Sequence, residues 1–184
     1  MLSTVAVVAV VVAWLGGAFL VLSDARRGIA LGMALYSAGL ASTLLADPLA
    51  AVVLGIAGLA SAGLRLRDGR AGWGTLPPGS TPRLLLCVVS GVLAGFVGAS
   101  ILGGPGPAPL RVAILLGGAL GAARLMSTLR REAALASTAV MTLAVGAAEA
   151  ATGGQGAPIV VLAAAVGAVL LGILPGVEGD VRGA

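Results

Sequence analysis

The chain contains no histidine, no lysine, a single cysteine and few aromatic residues, 3% in all. Without histidine there is no Ser-His-Asp triad and no imidazole ligand for a metal. Without lysine there is neither a Schiff-base nucleophile nor a P-loop. One cysteine excludes an intramolecular disulfide and any multi-cysteine metal site. That residue, Cys87 in LLLCVVS, lies mid-run among leucines and valines, which predicts a buried and inert thiol. Charge is scarce as well. Only 10% of residues are charged, against about 25% in soluble domains.

What remains is apolar: 59% of the 184 residues are hydrophobic, and 30 are glycine. Such a chain has too little polar surface to cover a core in water, so the sequence predicts an all-α integral membrane protein of one domain, 1–184. The formal net charge of +4 does not indicate nucleic acid, because the arginines fall in short clusters between apolar runs and form no continuous patch. No positive charge precedes the first run, MLSTVAVVAVVVAWLGGAFLVL, which is therefore expected to be an uncleaved helix rather than a signal peptide.

A hydrocarbon layer about 30 Å thick takes about 20 apolar residues per helix. Runs between breakers predict seven crossings, at 4–22, 28–46, 49–64, 84–102, 110–126, 133–151 and 158–174. Asp47-Pro48 forces a turn, because proline fixes its own φ and biases the residue before it away from helix. GGPGPAP at 103–109 and TGGQGAP at 152–158 cannot continue a helix either. The connections alternate in charge. The first, third and fifth carry Arg26 and Arg27, then Arg65, Arg67, Arg70 and Arg83, then Arg130 and Arg131. The others carry none within them. By the positive-inside rule these arginines are cytoplasmic anchors, the N-terminus is outside, and the short tail 175–184 is inside a plasma or inner membrane. Trp73, in the third connection, is expected at the headgroup level.

SDARRGIAL at 23–31 returns as STLRREAAL at 127–135. With a shift of 104 residues, nine positions of 24 between Val8–Leu31 and Val112–Leu135 are identical, where so narrow a composition gives roughly three by chance. Pro48 also aligns with Pro158 once six residues are allowed before it. The sequence thus predicts a parallel 3+1+3 repeat: 4–64 as the first copy, 65–102 as linker loop and helix, and 109–174 as the second. Such repeats are a known transporter plan.

Helix association in lipid depends on small residues. Gly28/Gly32, Gly91/Gly95 and Gly117/Gly121 are GxxxG pairs expected at packing surfaces, either within the chain or against a second copy or partner. Helix hydroxyls such as Ser37, Ser137 and Thr142 are expected to bond their own backbone. Ionisable residues at membrane depth are functional candidates by default. Glu149 and Arg111 lie near the outer ends of neighbouring helices, and three readings stay open: each reaches the interface alone, they pair, or Glu149 handles a proton or cation. Arg124 is expected to snorkel along its stem to the inner surface. Glu132 opens a helix, where an acid suits the dipole.

The 3+1+3 layout resembles sugar facilitators of the SWEET type, although the first 47 residues here hold no proline. Residues 18–46, with LVLSDARRGIALGMALYSAGLA, resemble the first helical hairpin of the small K/C-type subunits of complex I and Mrp antiporters. The complex I glutamates have no counterpart here, so this likeness does not extend to direct proton transfer. Asp24 and Asp68 on one side are similar to the aspartates of prepilin peptidases, but GxGD is missing, and they are read as solvated loop charges. The expectation is a non-enzymatic membrane subunit or accessory protein without cofactor or metal, in contact with lipid and with a membrane-protein partner or its own copy. The alternative is a small-solute facilitator or ion pathway between the repeats.

Overall fold

Proline and glycine set the corners of this chain, and the computed structural model shows how. It describes residues 4–67, 81–100, 106–128 and 130–174. Within them lie α1 (Thr4–Leu22), α2 (Arg26–Thr43), α3 (Pro48–Arg67), α4 (Thr81–Ser100), α5 (Ala108–Ser127), α6 (Arg131–Thr152) and α7 (Ala157–Ile173). Arg70, Asp68, Trp73 and the tail lie outside the described residues.

The α2–α3 corner shows the local chemistry. The Leu44 N–H turns back to the Ala41 carbonyl and the Asp47 N–H to that of Leu44, which ends α2 three residues before the apolar run does. Asp47 then caps α3, its carboxylate accepting from the Ala50 N–H at 3.1 Å, with Pro48 in the first helical position, where a missing N–H costs nothing. At its far end α3 continues past the expected stop at residue 64 to Arg67, because arginine is a good helix former even where hydropathy drops. The α6 helix stops at Gly153, which adopts φ 62°, a left-handed cap conformation that glycine takes without strain.

Five helices, α1, α3, α4, α5 and α6, are long and apolar enough to cross a bilayer, and α7 is a shorter apolar helix of 17 residues. The protein is an all-α, multi-pass membrane bundle. Its buried residues form one large apolar cluster around Met33, Tyr36, Leu54 and Leu143 and a smaller one between α1, α4 and α5.

Packing runs α1 on α2 on α3, and α5 on α6 on α7; across these two series α1 meets α5, α2 meets α6, and α3 meets α7. By contrast, among the described helices α4 touches only α1 and α5. The α1–α2 seam is the tightest. A methyl group on Gly32 would sit 2.7 Å from the Leu20 nitrogen, and one on Gly39 2.7 Å from the Ala9 carbonyl oxygen. Backbones approach this closely only where no side chain intervenes.

Candidate functional site

Charged side chains gather at one end of the bundle, where α1, α3, α5 and α7 finish and α2, α4 and α6 begin. Helices that finish there present carbonyl oxygens without intrahelical donors, and arginine is suited to them because it carries five donors and a fixed positive charge. Arg124, in the last turn of α5, is fully enclosed, at 0% exposure. Its Nη2 donates to the Asp24 carboxylate at 2.6 Å and to the Ser23 carbonyl at 3.0 Å. Its Nη1 reaches the Val21 carbonyl at 3.4 Å. Arg124 therefore caps the C-terminus of α1, where a cation also suits the helix dipole. It does not snorkel to the surface as its position near a helix end suggests. The apolar floor of α1 and α5 leaves its stem buried, and the nearest polar groups are those of the α1–α2 elbow.

Asp24 is the acceptor for several arginines. Its carboxylate also receives Arg83 of α4 at 3.3 Å, and its backbone carbonyl receives Arg130, the N-cap residue of α6, at 3.3 Å. Partial burial pushes the Asp24 carboxyl upward, but Arg124 and Arg83 outweigh it and hold the group below the ordinary carboxylate range. Asp24 is therefore a tertiary acceptor rather than a solvated loop charge.

A second centre stands on Glu132 in the first turn of α6. Arg26 of α2 binds its carboxylate in two-pronged fashion, Nε to Oε2 at 2.8 Å and Nη2 to Oε1, the strong planar geometry for this pair. Arg65 of α3 donates to the Glu132 carbonyl at 3.2 Å and to the Leu171 carbonyl, in the last turn of α7, at 2.9 Å. The two centres together join all seven helices. Arg27, Arg67 and Arg131 face outward at the same end.

The opposite end is different. The ion pairs among the described residues are Arg26–Glu132, Arg83–Asp24 and Arg124–Asp24. Arg111 and Glu149 are not among these pairs. The Arg111 guanidinium instead donates to Gly98 at 3.2 Å and Gly106 at 3.0 Å, since Gly98 offers one of the orphan carbonyls that end α4. Glu149 is half-buried near the end of α6.

The paired glycines are spread over several contacts. A methyl on Gly28 would strike Ser23, one on Gly117 the Tyr36 hydroxyl, and one on Gly121 Met141. Gly91 lies beneath Trp14, whose indole N–H donates to the Cys87 carbonyl at 3.0 Å. Gly95 faces open space. Cys87 itself is buried. Tyr36, the chain's only tyrosine, is buried and donates to the Ala113 carbonyl at 3.1 Å. Sequence reading missed Tyr36 and the seam glycines Gly39 and Gly16, the latter packed against the backbone of Tyr36 in α2. A lone tyrosine among small residues was the available signal for the first. The spacing of seven from Gly32 to Gly39 was the signal for the second.

Ser37, Ser137 and Thr142 donate to carbonyls four residues back in their own helices. Among the described residues, no three His, Cys, Asp or Glu side chains gather so as to hold a metal. The chain matches no protein-family model, no curated protein and no solved structure.

Proposed function

We propose that the protein is a non-enzymatic membrane subunit or accessory protein that acts through helix–helix contacts. The observation that carries this reading is the filling of its interior. Apart from Arg124 and Tyr36, the largest fully enclosed side chains are Leu20, Met33, Leu40, Leu54, Leu116, Leu120 and Leu143. A path for an ion or small solute needs several polar groups free to replace its hydration shell; the enclosed hydroxyls of Ser37, Thr43 and Ser137 are already spent on backbone carbonyls, which leaves that of Ser61 without a partner. The α4 helix, held only by α1 and α5, turns Leu85, Val92 and Phe96 outward, and an apolar helix of a partner membrane protein fits that face.

In this reading the arginine-rich end lies in the cytoplasm of a plasma or inner membrane, with the N-terminus outside. All seven helices cross. The low hydropathy of α2 suits a span that buries ten of its 18 residues against other helices rather than lipid. The repeat is supported by the matching of α1, α2 and α3 with α5, α6 and α7 across the bundle, and by Arg26 and Arg130. These equivalent residues each reach into the other series.

The second reading, a facilitator, is favoured by the same cross-links if they close the cytoplasmic end of a pathway. Purification in mild detergent separates the two. A stoichiometric membrane partner is expected; a lone monodisperse protein that fluxes solute in liposomes would refute the subunit reading.

A further inference from the structure

Between α1 and α4 runs a groove of about 340 Å³, apolar throughout and lined by Trp14, Ala18, Phe19, Leu22, Leu84 and Val88. It opens sideways, among residues such as Val88 that face the lipid. Its far end closes at Ser23, next to Asp24. There the charges do not balance. Arg83 and Arg124 converge on the Asp24 carboxylate and Arg130 on its backbone carbonyl, and three positive charges less one negative leave +2. Arg83 is partly exposed and Arg130 exposed. The α4 helix begins two residues before Arg83 with no acid in its first turn, so its positive end adds to the same field.

We propose that this groove and its arginine mouth bind one anionic phospholipid from the adjoining leaflet. An acyl chain lies along α1 and α4, and the phosphate sits on Arg83 and Arg130. Basic residues at headgroup depth attract anionic lipid, and the groove supplies what a free phosphate would not use. A groove of about 310 Å³ between α1 and α2, lined by Val5, Val8, Ala38 and Ser42, lies at the start of α1 and the end of α2, away from these arginines, and serves as the internal contrast. The proposal depends on neither the subunit reading nor the topology.

The test is native mass spectrometry of the purified full chain incubated with phosphatidylglycerol or phosphatidylcholine vesicles. Phosphatidylglycerol should be retained about tenfold over phosphatidylcholine. R83Q/R130Q should bring the two lipids level, whereas R83K/R130K should keep the preference. A18L, which fills the groove and leaves the arginines intact, should release the lipid. Equal retention of both lipids by the wild type would overturn the proposal. So would unchanged preference in a monodisperse R83Q/R130Q or A18L protein, or loss of preference through R27Q instead. Thermal stabilisation by inorganic phosphate equal to that by phosphatidylglycerol would reassign the site to the free ion.

Discussion

At the arginine-rich end, two carboxylates and the arginines around them tie α1 through α7 together. At the opposite end the chain turns on Asp47-Pro48 and Gly153, and Arg111 donates to carbonyls of the α4–α5 corner. Both ends must satisfy the same orphan carbonyls and N–H groups of helix termini. One does so with local caps that involve neighbours in sequence. The other does so with arginines from distant helices, so that closing a helix end and joining two helices are a single event. Arginines at helix ends can thus also be tertiary fasteners. Local caps leave their end free to respond to substitution one corner at a time.

The sharpest way to break this contrast is Asp24→Ala. It leaves Arg124 enclosed without its carboxylate, and loss of one partner of a buried pair costs about 3 kcal/mol, read as a lowered SDS or thermal unfolding midpoint in detergent. Adding Arg124→Leu should recover most of that loss, because the charge goes with its partner; no recovery would mean that Asp24 acts alone. Next in size is Gly39→Leu in the α1–α2 seam, where overpacking is expected to cost about 2 kcal/mol. Gly95→Ala, on the open face of α4, should instead stabilise by about 0.5 kcal/mol through helix propensity.

Glu132→Gln weakens a pair that is about one quarter exposed at both partners, so an effect near 1 kcal/mol is expected, shrinking in high salt. Acid should act through Asp24. Its carboxyl is depressed in the folded protein, so its contribution is complete above about pH 4, the ordinary aspartate value, and declines as pH falls through the lower folded value. A pH titration of stability should therefore droop below about pH 4 in the wild type and less so in Asp24→Asn. The smallest effect belongs to the opposite end, where Glu149→Gln should change stability by less than about 0.5 kcal/mol.

Helix positions were legible in the sequence because proline, glycine and aspartate act locally: the corners at Pro48, Gly153 and Pro158 fall where composition puts them. Boundaries at Thr43 and Arg67 were less so, since hydropathy measures lipid preference while helix ends follow hydrogen bonds. The arginines stood out as anchors, but their partners did not. Asp24 and Arg124 are 100 residues apart, and only packing decides that they meet. One hint was available: the 104-residue shift places Arg124 over Leu20, an arginine where the other copy keeps an aliphatic side chain.

The separation of those two residues also orders the making of the protein. When a ribosome has delivered the first three helices to the membrane, the elbow at Asp24 has none of its later clients, Arg83, Arg124 or Arg130. The acid then waits for Arg83 on the fourth helix, and the α1 carbonyls wait for Arg124 on the fifth. Final locking of that elbow thus waits on synthesis well past the midpoint, because Arg124 lies 100 residues beyond Asp24.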